Sequence, residues 1–289
     1  MNRNDYPLKF QIDEIIARSI AEDLSAGDAT TDALIPSGLS TEASIISKEE
    51  GILAGGSIAI EVWHHLDPDI EVHFLLDDGT RLKPHDPEND RGNSVIAKIE
   101  GNVGNILKGE RIAINLLQHL SGIATQTNTF VKAIENFPAQ IVDTRKTLPG
   151  LRMLQKYAVR VGGGMNHRIN LADGILIKDN HLKSLAREKL NLESIVNKAR
   201  QYARHPLKIE VEVESISQVK EAMRAGADIL LLDNMCIKDM AESVAIIDGR
   251  AMTEASGNIN ISNVKNVAET GVDLISIGRL THSSSALDM

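Results

Sequence analysis

Lys208-Ile209-Glu210-Val211-Glu212-Val213-Glu214 alternates charged and apolar residues without interruption. Side chains of a β-strand point to opposite faces in turn, so one face carries Ile209, Val211 and Val213 and the other Glu210, Glu212 and Glu214. Two settings accept such a strand. In an antiparallel sheet the carboxylates would face water. In a parallel barrel they would point into an interior normally filled by branched aliphatic side chains. Buried there, they require cations, a metal or a ligand's hydroxyl groups.

The flanking sequence favours the barrel. Short apolar runs at 141–144, 175–178, 229–233, 250–255 and 274–278 alternate with helical patterns, as parallel βα units do. Each run begins apolar and ends polar, in Asp143-Thr144-Arg145-Lys146, Lys178-Asp179-Asn180-His181, Asp233-Asn234, Glu254 with Ser256, and Gly278-Arg279. Reacting groups of a (β/α) barrel project from the C-terminal strand ends, so these residues outline a candidate site. About six units are visible, which fits an incomplete barrel as well as an eight-stranded one. Ser256-Gly257-Asn258 precedes a helical run at 261–270, and Ser276-Ile277-Gly278 ends the last strand. Barrels frequently bind a substrate phosphate at this place, on backbone N–H groups and a helix N-terminus.

Charge is distributed unevenly. The chain of 289 residues carries a formal charge of −9, which argues against nonspecific nucleic-acid binding. Between 143 and 183, however, Arg145, Lys146, Arg152, Lys156, Arg160, Arg168, Lys178 and Lys183 face only Asp143, Asp173 and Asp179, a net +5. Such a segment focuses field on an anionic ligand. His167 and His181 lie within it.

Up to about residue 110 the order of elements is mixed. Ile12, Ile15, Ile16, Ile20 and Leu24 recur at helical spacing, a turn-rich GDATTD follows at 27–32, and strands are expected at 43–47, 70–76 and 94–100 around a helix at 57–66. This reads as a small α+β layer domain at 1–110, joined by the tail 280–289, beside a barrel domain at 111–279. A long helix is expected from near Gly109. The apolar runs are too short to span a bilayer and the N-terminus has no apolar signal core, so a cytoplasmic protein without membrane contact is expected. The single cysteine, Cys236, is expected to be buried and inert.

The block DTRKTLPGLRMLQKYAVRVGGGMNHRINLADGILIKDNH at 143–181 resembles the quinolinate phosphoribosyltransferases. So do GER at 109–111, EVEVES at 210–215, LLDNM at 231–235, EASGNI at 254–259 and GVDLISIGRLTHS at 271–283. The resemblance runs from about residue 105 to the end, with weaker motifs before it. It implies an incomplete α/β barrel with a smaller N-terminal α+β sandwich-like domain, Mg2+ dependence, and a homodimer with composite active sites. It also implies roles for matching residues. Arg145, His167, Arg168 and Lys178 would hold the quinolinate carboxylates, with Thr144 beside them and Arg111 reaching in from the partner subunit. Lys146 and Lys178 would face the pyrophosphate of phosphoribosyl pyrophosphate, and Glu212 and Asp233 the ribose hydroxyls and the metal. Ser256, Gly257, Asn258, Ile277, Gly278 and Arg279 would hold the 5′-phosphate. Lys178, Glu212 and Asp233 would be the catalytic residues, with His181 a neighbour of the site.

The residues agree with that chemistry. A dianionic acceptor and a polyanionic donor call for a cation-lined cleft, in which Arg gives forked carboxylate contacts and Lys a point charge. Three rivals share these features. A phosphoribosyltransferase for nicotinate would need one carboxylate clamp fewer, a Schiff-base aldolase would use Lys178 as nucleophile, and a noncatalytic anion-binding protein would release no pyrophosphate.

Overall fold

The computed structural model describes residues 7–86, 92–185, 188 and 190–289. Backbone proximity divides the chain into two compact units, Met1–Asn128 with Thr147–Gly163 and Arg279–Met289, and Thr129–Lys146 with Gly164–Gly278. Among the described residues no helix is long and apolar enough to cross a membrane.

The first unit contains α1 (Lys9–Leu24), α2 (Ala29–Leu34), β1 (Ser40–Ile46), β2 (Gly51–Ile52), α3 (Gly56–Leu66), β3 (Glu71–Phe74), β4 (Arg81–Leu82), β5 (Val95–Asn102), most of α4 (Val103–Ala133), and α5 (Arg152–Val161). Strands β1, β5 and β3 form an antiparallel sheet in that order, and β2 pairs with β4. The core is Ile16, Leu53, Ile58, Trp63, Leu82, Leu117 and Leu120, all buried. Burying such a side chain contributes roughly 1.5–3 kcal/mol. The turn expected at 27–32 is largely a helix, because Asp28 caps α2 by accepting from the backbone N–H groups of Thr30 and Thr31. Local turn residues there serve as a cap.

The second unit holds β6 (Gln140–Val142), β7 (Ile175–Ile177), α6 (Asp179–Leu185), α7 (Leu192–Tyr202), β8 (Ile209–Val213), α8 (Ile216–Ala225), β9 (Ile229–Asp233), α9 (Ile237–Ile247), β10 (Met252–Ser256), α10 (Val264–Glu269) and β11 (Leu274–Ser276). Its six strands are parallel, in the order β6-β11-β10-β9-β8-β7. From β7 to β11 every crossover steps to the adjacent strand in one direction. Right-handed crossovers then place all the connecting helices on one face, and the other face is enclosed as the sheet curls. Local signals agree: Ser215 caps α8 on the N–H of Gln218, and Gly226, at φ +77°, ends it.

The seam lies between β6 and β7. Met165 bonds along the free edge of β6, its N–H donating to Ile141 O (2.8 Å) and its carbonyl accepting from Asp143 N (3.1 Å). The barrel is therefore a six-stranded, incomplete one.

Register assigns the faces. Glu212 is level with Leu231, Leu231 with Glu254, and Asp233 with Ser256, so these side chains share a face with Glu210 and Ser276. Ile209, Val211, Val213, Leu230, Leu232 and Ile275 occupy the other face and are fully buried beneath the helices. The inner face is the polar one.

Candidate active site

Depth along β8 sorts the three glutamates. Glu210 is buried, Glu212 half-buried and Glu214 exposed, so the strand runs from the barrel floor to its mouth. Lys178, the residue after β7, places Nζ 3.4 Å from Glu212 Oε2. Its backbone N–H donates to His181 Nδ1 (2.9 Å) and its carbonyl accepts from His181 N (2.9 Å), which makes His181 the brace of this turn. Asp233, at the end of β9, accepts from the Asn234 amide (2.8 Å). Glu212 and Asp233 thus present two oxygen-ligand side chains on one face of adjacent strands.

In the same unit, Arg145 and Arg168 are half-buried and Lys146 is exposed. Thr144 Oγ1 accepts from the N–H of Lys146 (3.0 Å) and shapes the turn after β6. Burial and, beyond it, the nearby Arg145 guanidinium lower the pKa of Arg168, while Glu210 opposes the shift. Two like charges held together in a half-buried place favour an anion between them. Arg168 Nη1 also donates to Gly174 O (3.2 Å).

Next to Arg168 in sequence, the half-buried His167 meets the buried Glu210 and Glu254. Nε2 of His167 is 3.4 Å from Glu210 Oε2 and 3.2 Å from Glu254 Oε2. The Glu254 contact is off the line of a hydrogen bond, so it is an ion pair. Glu254 is 1% and Glu210 4% exposed, and Oε1 of each has no hydrogen-bond partner. Burial lowers the His167 pKa, but the contacts to Glu210 and Glu254 prevail and hold it at about 10. Burial pushes the Glu210 carboxyl up. The backbone N–H of Arg168 lies 2.8 Å from His167 Nδ1, a contact that suits a neutral ring, but the two buried carboxylates beside Nε2 outweigh it and hold the ring's second proton. The ligand atoms of the trio lie within 4.8 Å of one another. Asp143, fully buried, completes the support by accepting from Asn166 Nδ2 (2.7 Å) and His167 N (2.9 Å).

At the other end, Ser256, Gly257 and Asn258 form the turn after β10. Asn234 N donates to Ser256 O (2.9 Å) and Asn258 Nδ2 to Asn234 Oδ1 (3.1 Å). Gly257 has φ +95°, and a Cβ there would lie 2.2 Å from Asn234 Oδ1, so only glycine fits. Ile277 is buried and its N–H donates to Val142 O (3.0 Å), which commits that donor to the sheet edge. Gly278 follows it, half-buried. The helical run expected at 261–270 is the six-residue α10, starting after Asn263.

The second unit therefore brings together Thr144, Arg145, Lys146, His167, Arg168, Lys178, Glu212, Asp233, Ser256, Gly257, Asn258, Ile277 and Gly278. Arg111, exposed on α4, and Arg279, which opens α11 (Arg279–His282), belong to the first unit, as do Arg152, Lys156 and Arg160. Sequence reading put Asp143 and Glu254 among the polar strand ends and Glu210 inside the barrel but gave none of them a role, and it did not single out Asn166. The alternation at 208–214 signalled Glu210, but nothing in the sequence showed that Glu254 would share its histidine. Cys236 is exposed, contrary to expectation, because it lies outside the apolar strand β9, at the N-cap of α9.

Comparison with known proteins agrees with this geometry. The family model described as quinolinate phosphoribosyl transferase, C-terminal domain, matches residues 123–289, and that of the N-terminal domain matches 28–121. A probable nicotinate-nucleotide pyrophosphorylase [carboxylating] of Bacillus subtilis (strain 168) is 42% identical over 280 residues, covering 96% of this chain and 92% of its own. Its counterpart in Synechocystis sp. is 39% identical over 283 residues, covering 96% and 91%. Among solved structures, NadC from Streptococcus pyogenes superposes with a TM-score of 0.90 at 38% identity, over 98% of this chain and 95% of that one. The nicotinate-nucleotide pyrophosphorylase from Francisella tularensis gives 0.90 at 38% identity, over 100% and 98%. A parallel barrel with a carboxylate-lined interior and a cationic mouth, matched over nearly its whole length by such relatives, places this chain in the quinolinate phosphoribosyl transferase family.

Proposed function

We propose that the mouth of the six-stranded barrel is where this chain transfers the phosphoribosyl group of 5-phosphoribosyl 1-pyrophosphate to quinolinate, releasing pyrophosphate and CO2 and forming nicotinate mononucleotide for NAD biosynthesis. The observation that carries the assignment is the Lys178–Glu212 pair at the strand ends, in the same compact unit as Arg145, Lys146, Arg168 and Asp233. Arg145 and Arg168 fork onto the quinolinate carboxylates, Lys178 stands between quinolinate and pyrophosphate, and Lys146 serves the pyrophosphate. His167, fixed behind Arg168, shapes that pocket. The 5′-phosphate is received at the Ser256-Gly257-Asn258 and Gly278 turns, with Arg279 next in sequence.

No protein nucleophile is needed. As C1 of the ribose loses pyrophosphate it gains positive charge, which Glu212 and Asp233 stabilise, and the pyridine nitrogen attacks from the opposite side. The glycosylated nitrogen is cationic, so the ring takes up the electron pair left when the adjacent carboxylate departs as CO2, and a proton then replaces it. Glu212 and Asp233 offer the oxygen ligands that suit Mg2+, which when bound would neutralise the leaving pyrophosphate.

The assembly we propose is a homodimer in which Arg111 of the partner subunit completes each site. In support, Arg111 and Leu107 lie one turn apart on α4 and both are exposed, and Leu107 is an apolar side chain that a second copy would cover. The location we propose is the cytoplasm. Incubating the protein with quinolinate, phosphoribosyl pyrophosphate and Mg2+, and with nicotinate in quinolinate's place, tests the reaction. Nicotinate mononucleotide and CO2 are expected from quinolinate, and turnover confined to nicotinate would overturn it.

A further inference from the structure

Outside the groups that face the ligands, the inner wall holds two carboxylates to which the reaction gives no part, Glu210 and Glu254. Carboxylates this deeply buried are costly unless they are paired. Their pairing is concentrated on one atom, Nε2 of His167, at 3.4 and 3.2 Å. The backbone N–H of Arg168 lies 2.8 Å from Nδ1 of the same ring, and the residue's own N–H donates to Asp143 Oδ1 (2.9 Å). Asn166, one residue earlier, is held by the other oxygen of Asp143 at 2.7 Å. The segment Asn166-His167-Arg168 is thus tied to three buried carboxylates, one on β10, one on β8 and one following β6. A purely structural filling of a barrel would use aliphatic side chains, as the outer face of these strands does.

We propose that Glu254, assisted by Glu210, is a positioning residue for acceptor recognition: it grips the imidazole of His167 from the barrel floor and so fixes the backbone from which Arg168 reaches the pyridine dicarboxylate. The proposal rests on the substrate assignment above and deepens it. Glu254 acts on the acceptor alone, since the turns assigned to the phosphoribosyl donor are held by Asn234 and not by this trio. Glu254→Gln keeps the shape of the side chain and removes the charge. It should raise KM for quinolinate about tenfold or more, with KM for phosphoribosyl pyrophosphate and kcat within about twofold.

Combining Glu254→Gln with His167→Asn tests the route. If Glu254 works through His167, the double variant should lose no more quinolinate affinity than His167→Asn alone. Additive losses, or equal losses for both substrates, would overturn the proposal. A spectroscopic measurement needs no substrate: in 15N spectra of the free protein, Glu254→Gln should shift the His167 Nε2 resonance and the Arg168 amide, and an unchanged pair of signals would also overturn it. Should Glu254→Gln fail to fold, Glu210→Gln carries the same expectations. A wild-type protein that makes no product from quinolinate would defeat the substrate assignment and leave the spectroscopic test standing, so the two failures are distinguishable.

Discussion

Lys178 Nζ and Glu212 Oε2 lie 3.4 Å apart, the lysine side chain 45% exposed and the carboxylate 12%. The pair is therefore open on the lysine side, where a ligand's anionic group can compete for Nζ while Glu212 keeps its place in the wall. Losing a charge-assisted contact typically costs about 1.5–3 kcal/mol, more where ligand charge is left unpaired. Lys178→Ala and Arg168→Ala should each lower kcat/KM about tenfold to several hundredfold or abolish turnover, with circular dichroism unchanged. Near-normal kinetics with both substrates in either variant would remove these residues from the site.

Glu212 and Asp233 share a face on adjacent strands, at the level assigned to the ribose. Glu212→Gln and Asp233→Asn should weaken phosphoribosyl pyrophosphate more than quinolinate in calorimetric titrations carried out with Mg2+. Equal weakening of both ligands would indicate a structural role.

His167 gives stability a pH dependence of known sign. Its pKa is about 10 in the folded chain against about 6.5 when unfolded, so the folded state binds the proton more tightly. That contribution is fully present below about pH 6.5 and is lost as pH rises through about 10. The raised Glu210 carboxyl acts in the same direction, since it too holds a proton more tightly when folded. The difference in urea unfolding free energy between wild type and His167→Asn should therefore shrink from pH 6 to pH 10. A difference that grows with pH would contradict the arrangement of the trio.

Gly257 joins backbone geometry to donor binding. Alanine there would be strained at φ +95° and would collide with Asn234 Oδ1. Strain of this kind costs on the order of 1–3 kcal/mol. Gly257→Ala should lower the melting temperature by several degrees and raise KM for phosphoribosyl pyrophosphate more than that for quinolinate. An unaltered donor KM would separate this turn from the phosphate.

The composite dimer has its own signature. Arg111→Ala and Lys178→Ala homodimers should both be nearly inactive. Unfolded together, mixed and refolded, they should form heterodimers as about half of the population, each with one site free of both lesions. Activity should return to about a quarter of wild type. Verified subunit exchange without recovery would assign both residues to one subunit's site.

Much of the barrel was legible because strands repeat with period two and their polar ends fall on one edge. The interval 229–233 coincides with β9, and the alternation at 208–214 placed Glu210 and Glu212 inside. Tertiary facts were not legible. Asp28 reads as part of a turn until the helix it caps is seen, and Cys236 reads as core until β9 is found to end at Asp233. The pairing of Glu210 with Glu254 across a histidine 43 residues before the nearer of them depends on barrel closure, which no local pattern encodes.

The most direct measurement is the stoichiometry of a single reaction. With quinolinate labelled at its 2-carboxylate, phosphoribosyl pyrophosphate and Mg2+, the purified protein should release labelled CO2, pyrophosphate and nicotinate mononucleotide in equal amounts, and omitting any one reactant should abolish all three. Pyrophosphate released without CO2, or nicotinate mononucleotide formed only when nicotinate replaces quinolinate, would contradict the account.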